Sequence, residues 1–285
     1  MSDFIVSARK YRPTTWESVV GQKSITETLS NAIQSNQLAH AYLFCGPRGV
    51  GKTTCARIFA KTINMDNGEE LDEHSFNVFE LDAASNNSVD DIRQLTDQVR
   101  IPPQKGKYKV YIIDEVHMLS SNAFNAFLKT LEEPPAHAIF ILATTEKHKI
   151  IPTILSRCQI FDFNRIQIRD IANHLSSIAK KEGIKADPES LTVIAQKADG
   201  ALRDALSMFD QLVSFTGKDL TYSAVLENLN ILDYDYYFKI TTHLIENQIH
   251  TALLVFDEVL SKGFDGRHFV NGLSAHFRDL LVCKD

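Results

Sequence analysis

Gly46, Pro47, Arg48, Gly49, Val50, Gly51, Lys52 and Thr53 spell G-x-x-x-x-G-K-[ST] without a break. Glycines at this spacing let successive backbone N–H groups turn toward one point with no Cβ in the way. Backed by the positive end of a helix dipole, such N–H groups cradle phosphate. Lys52 adds a point charge for β- and γ-phosphates, and the Thr53 hydroxyl is an oxygen ligand suited to Mg²⁺. The motif carries meaning only between a strand and a helix. Both are predicted: Tyr42–Phe44 is a short apolar run, and Thr54–Ile63 has an amphipathic helical pattern.

A second group of chemical residues lies downstream. Lys109–Glu115 reads KVYIIDE, a β-branched and aromatic run of the kind buried on both faces of a parallel sheet. It ends in Asp114 and Glu115. Acids at that end of a strand face the crevice where ligands bind in open α/β sheets. Asp114 would hold the Mg²⁺ that Thr53 also ligates, and Glu115 would act as general base for a water at the γ-phosphate side. Ala138–Ala143, a further buried strand, leads into Thr144 and Thr145, whose hydroxyls either polarise that water or simply end the strand. Arg157, within LSRCQIFD, is either a surface ion-pair partner or an arginine finger that reaches a neighbouring subunit's nucleotide. Arg203 could point back at the nucleotide or pair with Asp199 or Asp204.

The elements that must position these groups follow from periodicity. Helices are predicted over Ser24–Asn36, Val89–Val99, with Ser88 as N-cap, and Ser121–Leu131. A strand is expected over Phe76–Leu81. Met65–Ser75 reads as an acidic surface loop. Ile101–Lys107 is a loop made locally basic by Arg100, Lys105, Lys107 and Lys109, either solvated or in contact with DNA. From Gln167 onward no further strand is expected. Helices run over Arg169–Glu182, Pro188–Ala198 and Ala201–Phe215, with Gly183 and Gly217 as stops. Further helices cover Tyr222–Leu229, Tyr234–Asn247, Ile249–Lys262 and Gly266–Leu281. The pattern reaches Cys283 with no stop signal, which suggests a chain cut inside a domain.

Composition narrows the class. The 285 residues are 44% hydrophobic and 23% charged, ordinary for two or three globular domains. A net charge of −6 argues against a globally basic nucleic-acid binder, so any DNA contact must come from a local patch. The cysteines, Cys45, Cys55, Cys158 and Cys283, form no C-x-x-C pair; scattered thiols and no signal peptide suit a reducing cytosol. No run approaches the ~20 apolar residues that a membrane-spanning helix requires.

Taken together, RKYRP…VVGQ (Arg9–Gln22), HAYLFCGPRGVGKTT (His40–Thr54), ELDAASNNSVDDIR (Glu80–Arg93), YIIDEVHMLS (Tyr111–Ser120), NAFLKTLEEPP (Asn125–Pro135), ILATTEKHKI (Ile141–Ile150), LSRCQIFDF (Leu155–Phe163) and GALRDALS (Gly200–Ser207) resemble the gamma/tau subunits of the bacterial DNA polymerase III clamp loader. That resemblance implies a AAA+ ATPase: a RecA-like α/β core with an N-terminal arm (residues 1–165), a three-helix lid (166–220) and the first part of a helical collar used in oligomerisation (221–285). It implies ATP and Mg²⁺ as ligands. Gly46–Thr54 with Lys52 and Thr53 would bind phosphates and metal, and Asp114 with Glu115 would form the Walker B pair. Thr145 matches sensor 1, Arg157 the trans-acting finger and Arg203 sensor 2, while Arg9, Pro13 and Val20 would lie by the adenine. Implied partners are delta- and delta-prime-type subunits in a hetero-pentamer, a sliding clamp, and primer–template DNA held by its backbone. The start of the helix at Asn86–Val89, Arg93 and the helix of Lys129 are the DNA candidates. The family's four zinc-ligating cysteines are missing from Asn64–Ser75, so no zinc is expected. The expected setting is the bacterial cytoplasm, with no membrane contact. Rival readings are a AAA+ branch-migration or helicase motor, and an ATP-bound scaffold that does not hydrolyse.

Overall fold

A computed structural model describes residues 5–65, 77–104 and 106–284. The expected acidic loop at 65–75, its lack of zinc ligands, and Lys105 fall largely or wholly outside those residues.

After a short helix α1 (Ser7–Lys10) and α2 (Lys23–Gln34) the chain alternates strand and helix: β1 (Ala41–Cys45), α3 (Lys52–Asn64), β2 (Val78–Asp82), α4 (Val89–Val99), β3 (Lys109–Asp114), α5 (Ser121–Glu132), β4 (Ala138–Thr144), α6 (Pro152–Leu155) and β5 (Gln159–Asp162). The strands make one parallel sheet in the order β2-β3-β4-β1-β5. Every residue of β1 and β4, and all but the last of β3, is buried. That is the physical reason these strands read as unbroken apolar runs: helices cover both faces.

Alternation within each strand divides the core into two layers. Leu43, Tyr111, Ile113, Phe140 and Leu142 pack with Ile92 and Leu95 of α4 and Phe124, Phe127 and Leu131 of α5. Tyr42, Phe44, Val110, Ile112, Ile139 and Ile141 face α2 and α3 through Leu29, Cys55, Phe59 and Ile63. Helix α4 starts where its N-cap predicts: Ser88 Oγ accepts the Asp91 N–H at 3.2 Å, and the Asp91 carboxylate accepts the Ser88 N–H in return.

Beyond β5 come α7 (Ile168–Glu182), β6 (Lys185–Ala186), α8 (Pro188–Lys197), α9 (Leu202–Thr216), β7 (Asp219–Leu220), α10 (Tyr222–Asn228), α11 (Asp235–Ile245), α12 (Ile249–Ser261) and α13 (Gly266–Lys284). The expectation of no strand after Gln167 is corrected here. Two-residue β6 and β7 pair in parallel, Lys185 with Asp219 and Ala186 with Leu220. They clasp the loops that follow α7 and α9, and two residues are too few to show a period of two. Helices α7–α10 share a core of Ile171, Leu175, Ile178, Leu191, Ile194, Leu206, Phe209 and Leu212. The N-terminal arm bridges both bodies. Ala8, Tyr11 and Val20 join this helical core, whereas Trp16 and Val19 pack on the sheet side. Ser7 donates to Asp210 and Tyr11 to Glu182, and Lys10 pairs with Glu182, so the arm is tied to α9 and α7.

Candidate nucleotide-binding site

The site forms at the carboxyl ends of the strands, beside β1, where neighbouring connections leave in opposite directions across the sheet. Open α/β sheets place ligands at such a switch point. Strand β1 delivers the chain to Gly46, and the loop 46–51 ends at Gly51, the N-cap of α3, with φ +106°. Gly49 is at φ +77°, and a Cβ there would stand 3.2 Å from Ala201 Cβ and 3.3 Å from Arg203 Cβ. A side chain at that position would therefore push the loop and the start of α9 apart. Arg203 N–H meets the Gly49 carbonyl at 3.5 Å, so the second helical body rests on the glycine loop.

Lys52 is 6% exposed, and its ammonium donates to the carbonyls of Gly46 at 2.6 Å and Pro47 at 2.8 Å. Burial holds its pKa below the ordinary lysine value, and the Glu115 and Asp114 carboxylates pull it partly back. Thr53 Oγ1 donates to Asp114 Oδ2 at 2.8 Å, which brings the two proposed metal ligands into contact across the sheet. A hydroxyl and a carboxylate are hard oxygen donors, and Mg²⁺ is held by few protein ligands plus phosphate and water. The donor set therefore fits Mg²⁺. Among the described residues no cluster of three or more His, Cys, Asp or Glu is placed to hold a metal ion.

Glu115 stands just past the end of β3 with φ +47° and ψ +45°. The other described non-glycine residues with positive φ are Asn36, Asp199, Asn230 and Asn247, types that tolerate it. Glutamate does not share that tolerance, so the turn at Glu115 is a strained conformation that surrounding contacts must hold. Its Oε2 accepts the Thr145 N–H at 3.1 Å and the Thr145 hydroxyl at 2.9 Å.

A cleft of about 850 Å³ runs from the loop to the arm, lined by residues 48–54, Asp82, Asp114, Glu115 and Arg203, and also by Arg9, Pro13 and Val20. Gly46 and Pro47 stand behind it as acceptors for Lys52. Thr145 reaches it through Glu115. Arg157 does not enter it: the guanidinium donates to Thr153 O and Glu132 Oε1, each at 2.7 Å, and residues 156 and 157 are exposed. Asp199, one suggested partner for Arg203, pairs instead with Arg165.

Two features escaped sequence reasoning. Arg12 and Arg57 also line the cleft. Burial, then the Arg57 and Arg203 guanidiniums, push the Arg12 pKa down, opposed by Glu80 and Asp114, although Arg12 keeps an exposed edge. A converging set of arginines favours a polyanion. The second feature is His117, whose side chain is 5% exposed and faces both Glu115 and Glu146. Neither type nor spacing marks these residues; only the folded chain brings them to the site.

A family model described as "DNA polymerase III, delta subunit" matches residues 21–167, and one described as "DNA polymerase III clamp loader subunit, ATPase lid domain" matches 170–218. The chain is 46% identical to DNA polymerase III subunit tau of Bacillus subtilis, over 97% of this chain and 51% of that protein. It is 40% identical to DNA polymerase III subunit gamma of Buchnera aphidicola subsp. Baizongia pistaciae, over 89% of this chain and 72% of the relative. The chain spans about half or less of several tau relatives, 42% of the one from Escherichia coli. Among solved structures, the Holliday junction branch migration motor RuvB of Thermotoga maritima superposes with a TM-score of 0.62 at 18% identity, over 90% of this chain and 86% of that one. At that identity the likeness is one of fold, a RecA-like AAA+ core followed by helices. On these sequence matches, the chain belongs to the gamma/tau subunit family of the bacterial DNA polymerase III clamp loader.

Proposed function

We propose that this chain is the ATPase subunit of a clamp loader, using ATP binding and hydrolysis to open a sliding clamp and load it onto primer–template DNA. The observation that carries the reading is the convergence of Lys52, the Thr53–Asp114 pair at 2.8 Å and Glu115 on one arginine-lined cleft. In this reading Gly46–Thr54 and Lys52 hold the phosphates, Thr53 and Asp114 hold Mg²⁺, and Arg9, Pro13 and Val20 flank the base. Mg²⁺, when bound, offsets charge on the β- and γ-phosphate oxygens. Glu115 accepts a proton from the water that attacks the γ-phosphorus as the bond to the β,γ-bridging oxygen breaks. Thr145 fixes that carboxylate. Arg203 monitors the phosphate from the second helical body, and Arg157, exposed and outside its own cleft, serves the site of a neighbouring subunit.

The core is assigned to residues 1–165, the lid to 166–220 and the collar to 221–285, which presents apolar side chains for assembly with delta- and delta-prime-type subunits. DNA is held by phosphate contacts, since loading must ignore sequence. Arg93, Arg100 and Lys129 border a groove between α4 and α5 that suits this role. The setting is the bacterial cytoplasm; among the described residues no helix is long and apolar enough to cross a membrane.

The test is clamp loading onto primed DNA by the full-length protein with its partner subunits. Lys52→Ala should abolish ATP binding, and an unchanged equilibrium affinity would reject the phosphate assignment. Arg157→Ala should leave ATP binding intact but lower clamp- and DNA-stimulated turnover by ~10³-fold or more, the scale of trans arginines in other NTPases. Unwinding or translocation on duplex DNA without a clamp would favour the motor reading that the RuvB-like fold brings to mind. ATP bound with no phosphate release would favour a scaffold.

A further inference from the structure

We propose that His117 is the positioning residue for Glu115: its ring contacts the carboxylate and ties it to Glu146, two residues past β4. The inference rests on the reading of Glu115 as general base.

His117 lies in a single turn of 3-10 helix, Val116–Met118, directly after Glu115. Its Nδ1 is 3.0 Å from Thr144 Oγ1 and 3.4 Å from Glu115 Oε2, and its Nε2 is 3.3 Å from Glu146 Oε1. The imidazole is thus a rigid spacer between two carboxylates, anchored to the last residue of a fully buried strand. Thr144 Oγ1 also accepts the Glu146 N–H at 3.0 Å, which closes the group from the far side. Glu146 is in turn paired with Lys149 at 2.9 Å.

The arrangement answers a physical need. Glu115 has one side-chain torsion more than an aspartate would, and its backbone is in a conformation that glutamate disfavours. Thr145 binds one oxygen from one direction only. A carboxylate gripped on one side can still swing, and a general base that is about 1 Å out of place loses much of its effect. His117 adds a contact from a second residue, its Nδ1 lying 3.4 Å from the same Oε2. Being almost wholly buried, it cannot reach solvent, and its ring is set by partners at both nitrogens.

The ring geometry also defines its own test. In an Asn at this position the amide occupies the place of Nδ1, facing Thr144 and Glu115. In a Gln it extends toward the place of Nε2, facing Glu146. The experiment is steady-state phosphate release by the full-length protein assembled with its partner subunits, clamp and primed DNA, together with equilibrium ATP binding. His117→Ala should lower kcat roughly tenfold or more while ATP affinity stays within about twofold, since general bases contribute ~10²–10⁴-fold and loss of a supporting partner forfeits part of that. His117→Asn should recover most of the loss and His117→Gln less of it. Glu115→Gln serves as the control. If Glu115→Gln stops turnover and His117→Ala does not change it, this inference falls and the base assignment stands. If His117→Asn and His117→Gln are equally poor, and ATP affinity and melting temperature fall with kcat, the ring is only packing and the inference falls again. Normal turnover in Glu115→Gln would overturn the base assignment, and this inference with it.

Discussion

The sheet and its helices contrast with the last three helices of the chain. In the first region large side chains are fully enclosed: Tyr42, Phe44, Phe59, Tyr111, Phe127 and Phe140 are all below 2% exposure. In the second, the buried cluster consists of Ile240, Val259 and Phe269, with partly covered aromatics around it. Helices α11–α13 instead leave Ile245, Ile249, Leu253, Leu281 and Val282 each more than 60% exposed. Helical periodicity is present in both. The difference is whether the apolar face has found a partner within the chain. A region that closes its own core is stable alone, whereas one that presents such a face depends on what docks there.

That contrast can be broken by substitution. Phe127→Ala, at the junction of α5 with the sheet, should cost about 3–5 kcal/mol of global stability, read by denaturant unfolding. A loss as small as that of a surface change would mean the sheet core relaxes as easily as the C-terminal helices.

A smaller effect should come from the arm. The hydrogen bonds from Lys10 and Tyr11 hold Glu182 below the ordinary carboxylate range, and Glu182 raises Lys10 above 10.5. For a carboxylate with a depressed folded pKa, the stabilisation is present above the unfolded value and disappears as pH falls through the folded one. For Lys10 it is present below the unfolded value and disappears as pH rises through the raised one. Hydrogen-exchange protection of residues 7–11 should therefore stay level through neutral pH and fall at both extremes. Glu182→Gln should remove the acid limb and, since Glu182 is what raises Lys10, most of the alkaline limb as well.

The smallest effect on the chain itself is expected for Leu253→Ser, 61% exposed on α12. Unfolding of the isolated chain should change by no more than about 0.5 kcal/mol. The same variant should weaken assembly with partner subunits, measured by sedimentation. A large loss of chain stability would place Leu253 in a core and end the contrast.

The parts of the site that were legible in the sequence are those whose chemistry is local. The glycine loop with Lys52 and Thr53 is one unbroken segment, and Asp114-Glu115 follows a strand whose burial is written in its composition. Helix α4 announced itself through Ser88 and Asp91. Arg12 was harder, because its meaning comes from Arg57 and Arg203, far away in the chain. His117 is a lone histidine until β4 places Thr144 and Glu146 against it. The β6–β7 clasp is too short for any periodic signal. Thr145 and Arg157 stood out by their positions with two readings each, and likeness to a family favoured one; in the fold Thr145 contacts Glu115 and Arg157 pairs with Glu132.

The pairing of Lys52 with the carbonyls of Gly46 and Pro47 has one more consequence. If Lys52 holds phosphate as proposed, its buried ammonium has little water left for an arriving phosphate to strip. Two neutral carbonyl dipoles give way to an anionic oxygen, and the trade deepens the attraction without a new dehydration step. On that reading, affinity for a polyphosphate would be stored in the loop before any ligand arrives.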